Sequence, residues 1–360
     1  MGMVQLFGNK KIEAFGLDIS DVSIKAMQLK RHNRSFIPHA FADLSLPSRI
    51  INNHLIASEQ RLAENIGYCL SKAGKIDTKY VAASIPESKS FVRILEIPNM
   101  REEEIGSAIP WQLEQDIPVP VDQVYLDWQV ISRTGEKINV LVAATPRDYV
   151  DALIDTLRIA RLKPVALELE SQALSRALIG QEDAKQSMLI LDMANMQTSF
   201  IIIDGGVLEY TSSIPVAGNA FTESIARSLG VSSGEAEKLK RELGLVSETK
   251  RGNIRQAVLP VLDNIVDEIK NVIRFHEEHA QNHRPIKRVV LSGGSSRLLG
   301  IADYIAARLN LGSNAPVGRV SLGDPWTNLN IAGLDDKLPL KKDEALGFAT
   351  AIGLALRGME

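Results

Sequence analysis

The chain has 360 residues, 45% hydrophobic and 24% charged: enough for about two domains with cores that need no covalent staples, and too balanced to be largely disordered. A formal net charge of −3 argues against a protein that coats nucleic acid, and the single cysteine, Cys69 in the apolar run Ile66 to Leu70, excludes an intrachain disulfide framework or a cysteine zinc site. No uninterrupted apolar stretch reaches membrane-spanning length and the N-terminus has no secretory core, so the expected compartment is the cytoplasm, with Met3 to Lys11 read as a frayed terminus rather than a membrane anchor.

In chain order, Ile12 to Leu17 reads as a strand ending at Asp18, followed by a polar turn through Ser20 and Asp21 and by strands Ser23 to Leu29 and Phe36 to Leu44. Leu62, Ile66, Cys69 and Leu70 mark a helix over Glu59 to Ala73, in which Cys69 is a buried small residue, and Tyr80 to Ile85 is a strand. Phe91 to Ile97 is a further strand. Pro110 interrupts the segment Arg101 to Asp116, so a kink or two short helices are expected there, with Glu102 to Glu104 in a first helical turn. Ile117-Pro118-Val119-Pro120 cannot be ordinary helix. Strands Val124 to Ile131 and Lys137 to Ala144 flank a hairpin turn at Arg133 to Glu136, and Arg147 to Ala160 is a helix.

Val165 to Leu167 is a short strand before a helix starting at Ser171. Met188 to Leu191, ending in Asp192, then Ala194 to Thr198, a strand Ser199 to Ile203, a Gly205-Gly206 turn and a strand Val207 to Ser212 repeat the opening pattern, which implies two similarly built domains. Gly218 to Arg284 is helical: Phe221, Ile225 and Leu229 mark one helix, Ala236, Leu239 and Leu243 a second behind the cap-like Ser232-Ser233, and Val258 to Ile273 a long third. Val289 to Gly300 reads as strand, Gly293-Gly294 turn and helix, with Leu299, Ala302, Ile305 and Ala306 on the helical spacing. Gly312 to Leu340 is loop-rich, and Asp343 to Leu356 closes the chain as one helix whose small residues suit close packing.

Glycines at the 293–294 turn present bare backbone to a flat ligand, and the two aspartate hairpins present amides and small hydroxyls. Together they make sense as a nucleotide site in which Asp18 and Asp192 hold Mg²⁺ mostly through water. Neither a P-loop nor a Rossmann fingerprint is present.

This ordering resembles the actin-like ATPase superfamily, with Asp18 to Lys25 and Asp192 to Thr198 as the two phosphate segments and Leu291 to Gly300 as the adenosine segment. Ile85-Pro86, Arg93-Ile94-Leu95-Glu96-Ile97-Pro98, Ile109-Pro110-Trp111-Gln112-Leu113-Glu114, Ile117-Pro118-Val119-Pro120 and Asp127-Trp128-Gln129-Val130 are similar to the region characteristic of the PilM family of type IV pilus assembly proteins. Gly218-Asn219-Ala220-Phe221-Thr222 and Glu235 to Arg241 are similar to it too.

The resemblance implies an α/β, two-lobed actin-like fold of duplicated ribonuclease H-like domains with an inserted α+β subdomain, FtsA being the nearest cousin. The implied division is 1–84 with 164–187 and 341–360 as first lobe, 85–163 as the insertion, 188–217 with 287–340 as second lobe, and 218–286 as a helical subdomain. ATP or ADP with Mg would bind in the interlobe cleft, through Asp18, Ser20, Asp21, Ser23 and Lys25, then Asp192, Ala194, Asn195, Gln197 and Thr198. Gly218 and Asn219 would lie under the phosphates, Glu237 and Lys240 near ribose and adenine, and Gly293, Gly294, Ser295 and Ser296 at the adenosine turn, with Asp18 and Asp192 near the metal. Glu168 or Glu170 is the candidate for orienting a water.

The implied partners are the N-terminal peptide of a PilN-like inner-membrane protein, docked between the first lobe and the insertion, other pilus platform proteins, the assembly motor ATPase, and further copies in a ring. The chain would sit at the inner membrane through these partners, with no span of its own and no nucleic acid.

Ser20 and Asp21 stand where that family has glycine and a hydroxyl, and Ala194 where it has glycine. A carboxylate near a triphosphate costs affinity unless it faces away or meets the metal, so ATP binding is expected over efficient hydrolysis. The alternatives are an active ATPase or small-molecule kinase of the superfamily, and an FtsA-like filament protein, which would need a C-terminal amphipathic membrane helix. For His276, Glu277, Glu278, His279 and His283 a solvated helix face is expected, the zincin spacing being absent. Trp111 and Trp128 either line a peptide groove or pack inside the insertion.

Overall fold

Two strands that each end one residue past an aspartate seed two sheets of the same topology. In the first, β1 (Phe15–Ile19) pairs antiparallel with β2 (Ser23–His32) and β2 with β3 (Ser35–Ser45), while β6 (Tyr80–Ile85) lies parallel to β1 and β10 (Lys163–Leu169) parallel to β6. In the second, β11 (Ser187–Met193), β12 (Thr198–Asp204) and β13 (Val207–Ile214) form the antiparallel part, and β14 (Ile286–Ser292) and β15 (Arg319–Leu322) the parallel part. The orders β10-β6-β1-β2-β3 and β15-β14-β11-β12-β13 are therefore equivalent, which is the expected duplication. Asp18 pairs with Lys25 and Asp192 with Ser199, so the two aspartates occupy the same place in the two sheets.

The computed structural model describes all residues except 1–12, 33–34, 53, 75, 115–116, 118, 247–253, 280–283, 310–318, 330, 332–339 and 360. Ile12, the Met3 to Lys11 segment, Pro118, His283 and most of Gly312 to Leu340 lie outside the described residues. The chain forms two compact units, Met1–Ala177 with Asn328–Lys341 and Thr350–Glu360, and Leu178–Thr327 with Lys342–Ala349. The change of unit at 177/178 precedes the boundary expected at 187/188, because Leu178 packs where a side chain on Gly323, after β15, would have to go.

In the first unit, Leu62, Ala63, Ile66 and Cys69 form the buried face of α1 (Glu59–Lys72), whose N-terminus is capped by Ser58. Cys69 is core: its sulfur lies 3.7 Å from the Ile24 carbonyl, and burial pushes its thiol up to about 11. α3 (Arg147–Ile159) packs against α1. The C-terminal segment is not one helix. α9 (Lys342–Ala345) and α10 (Ala349–Arg357) are separated by a 3-10 turn, Leu346–Phe348, around the poor helix former Gly347. The close packing is present: a Cβ on Gly353 would run into the Ala173 carbonyl of α4 (Glu170–Leu178), and one on Gly16 into that of Ala351.

The inserted segment has its own antiparallel sheet, with β9 (Lys137–Pro146) between β7 (Phe91–Pro98) and β8 (Val124–Thr134). Leu95, Ile97, Val140 and Val142 bury against Ile105, Ile109 and Leu113 of α2 (Glu102–Leu113). Gly135, at φ 58°, makes the hairpin turn. α2 is a single helix, not two pieces: Pro110 falls in its last turn, where only the bond to Gly106 is lost and the Glu114 amide still reaches the Pro110 carbonyl at 3.1 Å. The tryptophans divide, Trp128 packing on this core and Trp111 standing 78% exposed.

In the second unit, α5 (Gly218–Leu229), α6 (Ser233–Leu243) and α7 (Ile254–His279) follow the three predicted periodicities, and Ser232 caps α6 by accepting from the Glu235 amide. Leu262, Ile265, Ile269 and Val272 of α7 bury against Leu189, Leu191, Phe200 and Ile202 of the sheet. Full burial stabilises each such side chain by about 1.5–3 kcal/mol. His276 does not lie on a solvated face: it is 3% exposed, with Nε2 2.8 Å from the Arg284 carbonyl and Nδ1 2.9 Å from Glu209. The edge of the sheet that α7 crosses supplies that acid, which no helical spacing reveals.

Candidate functional site

In the first unit the β1–β2 turn is closed by its own serines. The Ser20 amide donates to the Ser23 carbonyl at 2.9 Å, the Ser23 amide to Ser20 Oγ at 3.1 Å, and Lys25 Nζ to Ser23 Oγ at 3.1 Å. Asp21 is turned aside: Oδ1 accepts the His54 amide at 2.9 Å and lies 3.3 Å from His54 Nδ1, fastening the loop between β4 (Ile51–Asn52) and β5 (Leu55–Ile56). The extra carboxylate thus has a structural partner, and His54 holds a positive φ of 60° to provide it.

Asp18 accepts from the Ser84 hydroxyl at 3.1 Å, while Ser84 Oγ also receives the Ile19 amide at 3.2 Å. Desolvation raises the Asp18 carboxyl above the ordinary range, against the opposing charge of Lys25. Buried Tyr149 feels the charges of Glu170, Asp21 and Asp18, and desolvation together with that field pushes its phenol up. Glu168 is held at two points by Arg176, at 2.6 and 2.7 Å, so its carboxylate serves an ion pair inside the unit. Glu170 opens α4 and accepts the Glu87 amide, while Glu87 caps the helix by accepting the Ser171 amide and hydroxyl at 3.2 and 3.1 Å.

The second-unit candidates form one hydrogen-bonded constellation. The Ala194 carbonyl accepts from Ser295 Oγ at 2.7 Å and from the Gly218 amide at 3.3 Å, and the Asn195 carbonyl accepts the Asn219 amide at 2.8 Å. The Ala194 amide closes the turn on the Gln197 carbonyl at 3.1 Å. Gly218 is required by close approach, since its Cβ would meet Ser295 Oγ. At Gly293, φ is 81° and a Cβ would lie 2.5 Å from the Met193 carbonyl and 2.9 Å from Asp192 Oδ1. Gly294 faces open space, while Ser296 folds back to donate to the Gly293 carbonyl at 2.7 Å.

Two candidate groups face inward. Thr198 is buried and donates to the Val216 carbonyl at 2.6 Å. Lys240 is 8% exposed and spends its ammonium on the Gly218 carbonyl, Thr222 Oγ1 and Glu237 at 3.0, 2.9 and 2.6 Å. Burial pulls the Lys240 ammonium down although Glu237 opposes it; burial alone would raise Glu237, but bonds from Lys240, Thr222 and Arg241 outweigh it and hold that carboxyl down to about 2. The pair therefore braces the α5 N-terminus under the turn. A helix does not start at the Gly-Gly turn: a 3-10 turn, Gly294–Arg297, intervenes and α8 (Ile301–Leu309) begins later, with Leu299 47% exposed off its buried face. The amides at this turn are those of the 3-10 segment.

Ser84, His54 and Tyr149 were not legible as members of the site. Their partners lie far away in sequence, and only the parallel pairing of β6 with β1 carries Ser84 to Asp18. Among the described residues no helix is long and apolar enough to cross a membrane, and no group of three or more metal-ligating side chains is present.

Comparison with known proteins places this geometry. The family model described as "Type IV pilus assembly protein PilM" matches residues 16–359. The cell division protein FtsA of Neisseria meningitidis is 23% identical over 265 residues, 68% of this chain and 58% of that protein, so the match spans a little over half of the relative. FtsA of Escherichia coli K12 is 20% identical over 385 aligned residues, covering 100% of this chain and 85% of that protein. Among solved structures, a PilM-PilN type IV pilus biogenesis complex superimposes with a TM-score of 0.81 at 26% identity, covering 98% of this chain and 100% of that one. The ethanolamine utilization protein EutJ of Carboxydothermus hydrogenoformans gives 0.56 at 15% identity over 95% and 89%, and MreB5 of Spiroplasma citri bound to ADP gives 0.51 at 15% over 89% and 94%, both likenesses of fold. The fold is actin-like, and with a family match across nearly its whole length the chain belongs to the type IV pilus assembly protein PilM family.

Proposed function

We propose that the chain is a nucleotide-binding scaffold of a type IV pilus or related assembly platform. It takes ATP or ADP with Mg, the adenosine at the Gly293-Gly294 turn, and holds the N-terminal segment of a PilN-like inner-membrane protein between the first lobe and the insertion. The carrying observation is the Gly293-Gly294 turn, left-handed, without room for a Cβ at its first glycine and open at its second, set beside Asp192. The MreB5 relative bound to ADP and the PilM-PilN complex support the ligand and the partner respectively. Asp18 and Asp192 would hold the metal through water, and the four-part division inferred above belongs to this reading with its lobe boundaries shifted to the unit changes at 177/178, 327/328, 341/342 and 349/350. Scaffolding is favoured over turnover because Glu168 is committed to Arg176.

Gly294→Val tests the nucleotide. Its Cβ meets nothing, so the variant should keep its thermal midpoint while titration calorimetry shows ATP affinity reduced at least about tenfold, the effect of occupying space a ligand needs. Equal affinity for both proteins would remove the turn from the site. A PilN-like N-terminal peptide should bind the full chain, and Trp111→Ala should weaken it by roughly 1–2 kcal/mol if exposed Trp111 is an anchor. No binding in either the nucleotide-free or the ATP state would sink the partner assignment. Steady phosphate release abolished by Asp192→Ala would instead favour an ATPase.

A further inference from the structure

Tyr149 stands in the first turn of α3, 8% exposed, and its hydroxyl makes no hydrogen bond among the described residues. α3 leads into β10 through a short turn and packs on it, so its first turn lies at the end of the sheet where the parallel strands β1, β6 and β10 finish. Three carboxylates gather there: Asp18 on β1, Asp21 in the β1–β2 turn, and Glu170 where β10 gives way to α4. α3 also packs on β5, beside the loop in which His54 fastens Asp21. All of these residues belong to the first unit. Each carboxylate already takes a donor from the protein: Asp18 the Ser84 hydroxyl, Asp21 the His54 amide and Glu170 the Glu87 amide. Tyr149 is the reverse case, a neutral donor beside acceptors that are occupied. Desolvation and the fields of Glu170, Asp21 and Asp18 keep the proton on its phenol, so it stays a donor at neutral pH. A buried donor without a partner is costly, and an acceptor brought to this end of the sheet relieves that cost.

We propose that the Tyr149 hydroxyl donates to the terminal phosphate of the bound nucleotide and so selects triphosphate over diphosphate. This rests on the nucleotide reading above, in which Asp18 holds the metal through water. Mg²⁺ accompanies the outer phosphates, so the groups around Asp18 face that end of the nucleotide. A phosphate oxygen only accepts, which suits a phenol and none of the three carboxylates. The carboxylates suit the protons of metal-bound water instead. Lys25 opposes the charge of Asp18 and donates to Ser23 Oγ in the adjoining turn, and together with the metal it offsets the repulsion between phosphate and carboxylates.

Titration calorimetry of the full chain with Mg·ATP and with Mg·ADP, on the native protein and on Tyr149→Phe, tests this. Removing an oxygen that has no partner among the described residues should leave the thermal midpoint unchanged. ATP affinity should fall at least about tenfold, as for a lost hydrogen bond to a charged group, while ADP affinity stays within about twofold. In phosphorus NMR of bound Mg·ATP the γ-phosphate resonance should move in the variant and the α-phosphate resonance should not. Equal losses for ATP and ADP, an unchanged ATP affinity, or a lowered midpoint would each overturn the assignment of Tyr149 while leaving nucleotide binding in place. A native chain that binds neither nucleotide would remove the nucleotide reading and this inference with it.

Discussion

Single residues decide how the two turns respond to pH and to substitution. Glu237 has its folded carboxyl depressed from 4.5 to about 2, so its contribution to stability is fully present above 4.5 and is lost as pH falls through about 2. Urea midpoints measured across that window should fall for the native chain, and Glu237→Gln should lack this part of the acid limb. His276 works in the opposite sense. Burial alone would lower it, but Glu209 and the Arg284 carbonyl raise it above 6.5, so its contribution is complete below 6.5 and is lost as pH rises through the raised value. His276→Gln should flatten that alkaline decline in the same measurement; an unchanged decline would refute the assignment. At Gly293 an alanine must adopt φ 81° and crowd the Met193 carbonyl, so Gly293→Ala should cost about 1–3 kcal/mol of stability besides any loss of ligand. The glycine pair was legible because turn chemistry is local. The burial of Lys240 was not: a lysine in Glu-Lys-Leu-Lys-Arg reads as solvated until the α5 N-terminus is folded over it.

At the scale of elements, periodicity and caps located nearly every helix and strand. Ser232 was read as the cap of α6 and is one, and Tyr80 to Ile85 is β6 residue for residue. The misses have a common cause, namely that a residue's effect depends on where within an element it falls. Pro110 breaks nothing because it sits in the last turn of α2, whereas Gly347 suffices to divide the C-terminal helix where the chain passes from one unit to the other. The packing of α10 on α4 gives a sharp expectation. Gly353→Ala sets a Cβ against the Ala173 backbone, which cannot yield as a flexible side chain can, and should destabilise the first unit by roughly 3 kcal/mol or more in chemical denaturation. An ordinary surface-like effect below about 0.5 kcal/mol would show that the two helices separate readily.

Across the whole molecule, the chain changes unit at 177/178, 327/328, 341/342 and 349/350, so the first unit is completed only by Thr350–Glu360, far along the chain from its first strands. Leu354 belongs to a cluster with Ala82 of β6 and Ala173 of α4, and a Cβ on Gly358 would meet the Ala14 carbonyl. Truncation after Ala349 should therefore abolish the cooperative unfolding of the first unit, visible as lost protection of the β1, β2 and β6 amides in hydrogen exchange. Retained protection there would mean that the first sheet stands without its C-terminal helix. Long-range completion of this kind is slow to nucleate, because loop closure precedes the contacts that reward it.

The sequence by itself determined the duplicated strand–aspartate–hairpin pattern, the helical block between β13 and β14, the α+β insertion and the family, because each rests on spacing within a few residues or on motifs read in order. Only the tertiary structure decided where each carboxylate lies and what it meets. Asp21 is drawn off to His54, Glu168 to Arg176 and Glu237 to Lys240, while Asp18 accepts from Ser84 and Asp192 lies against the Gly293 turn. A side chain's charge is written in the sequence, but its partner is set by which distant strand or helix the fold brings within about 3 Å of it.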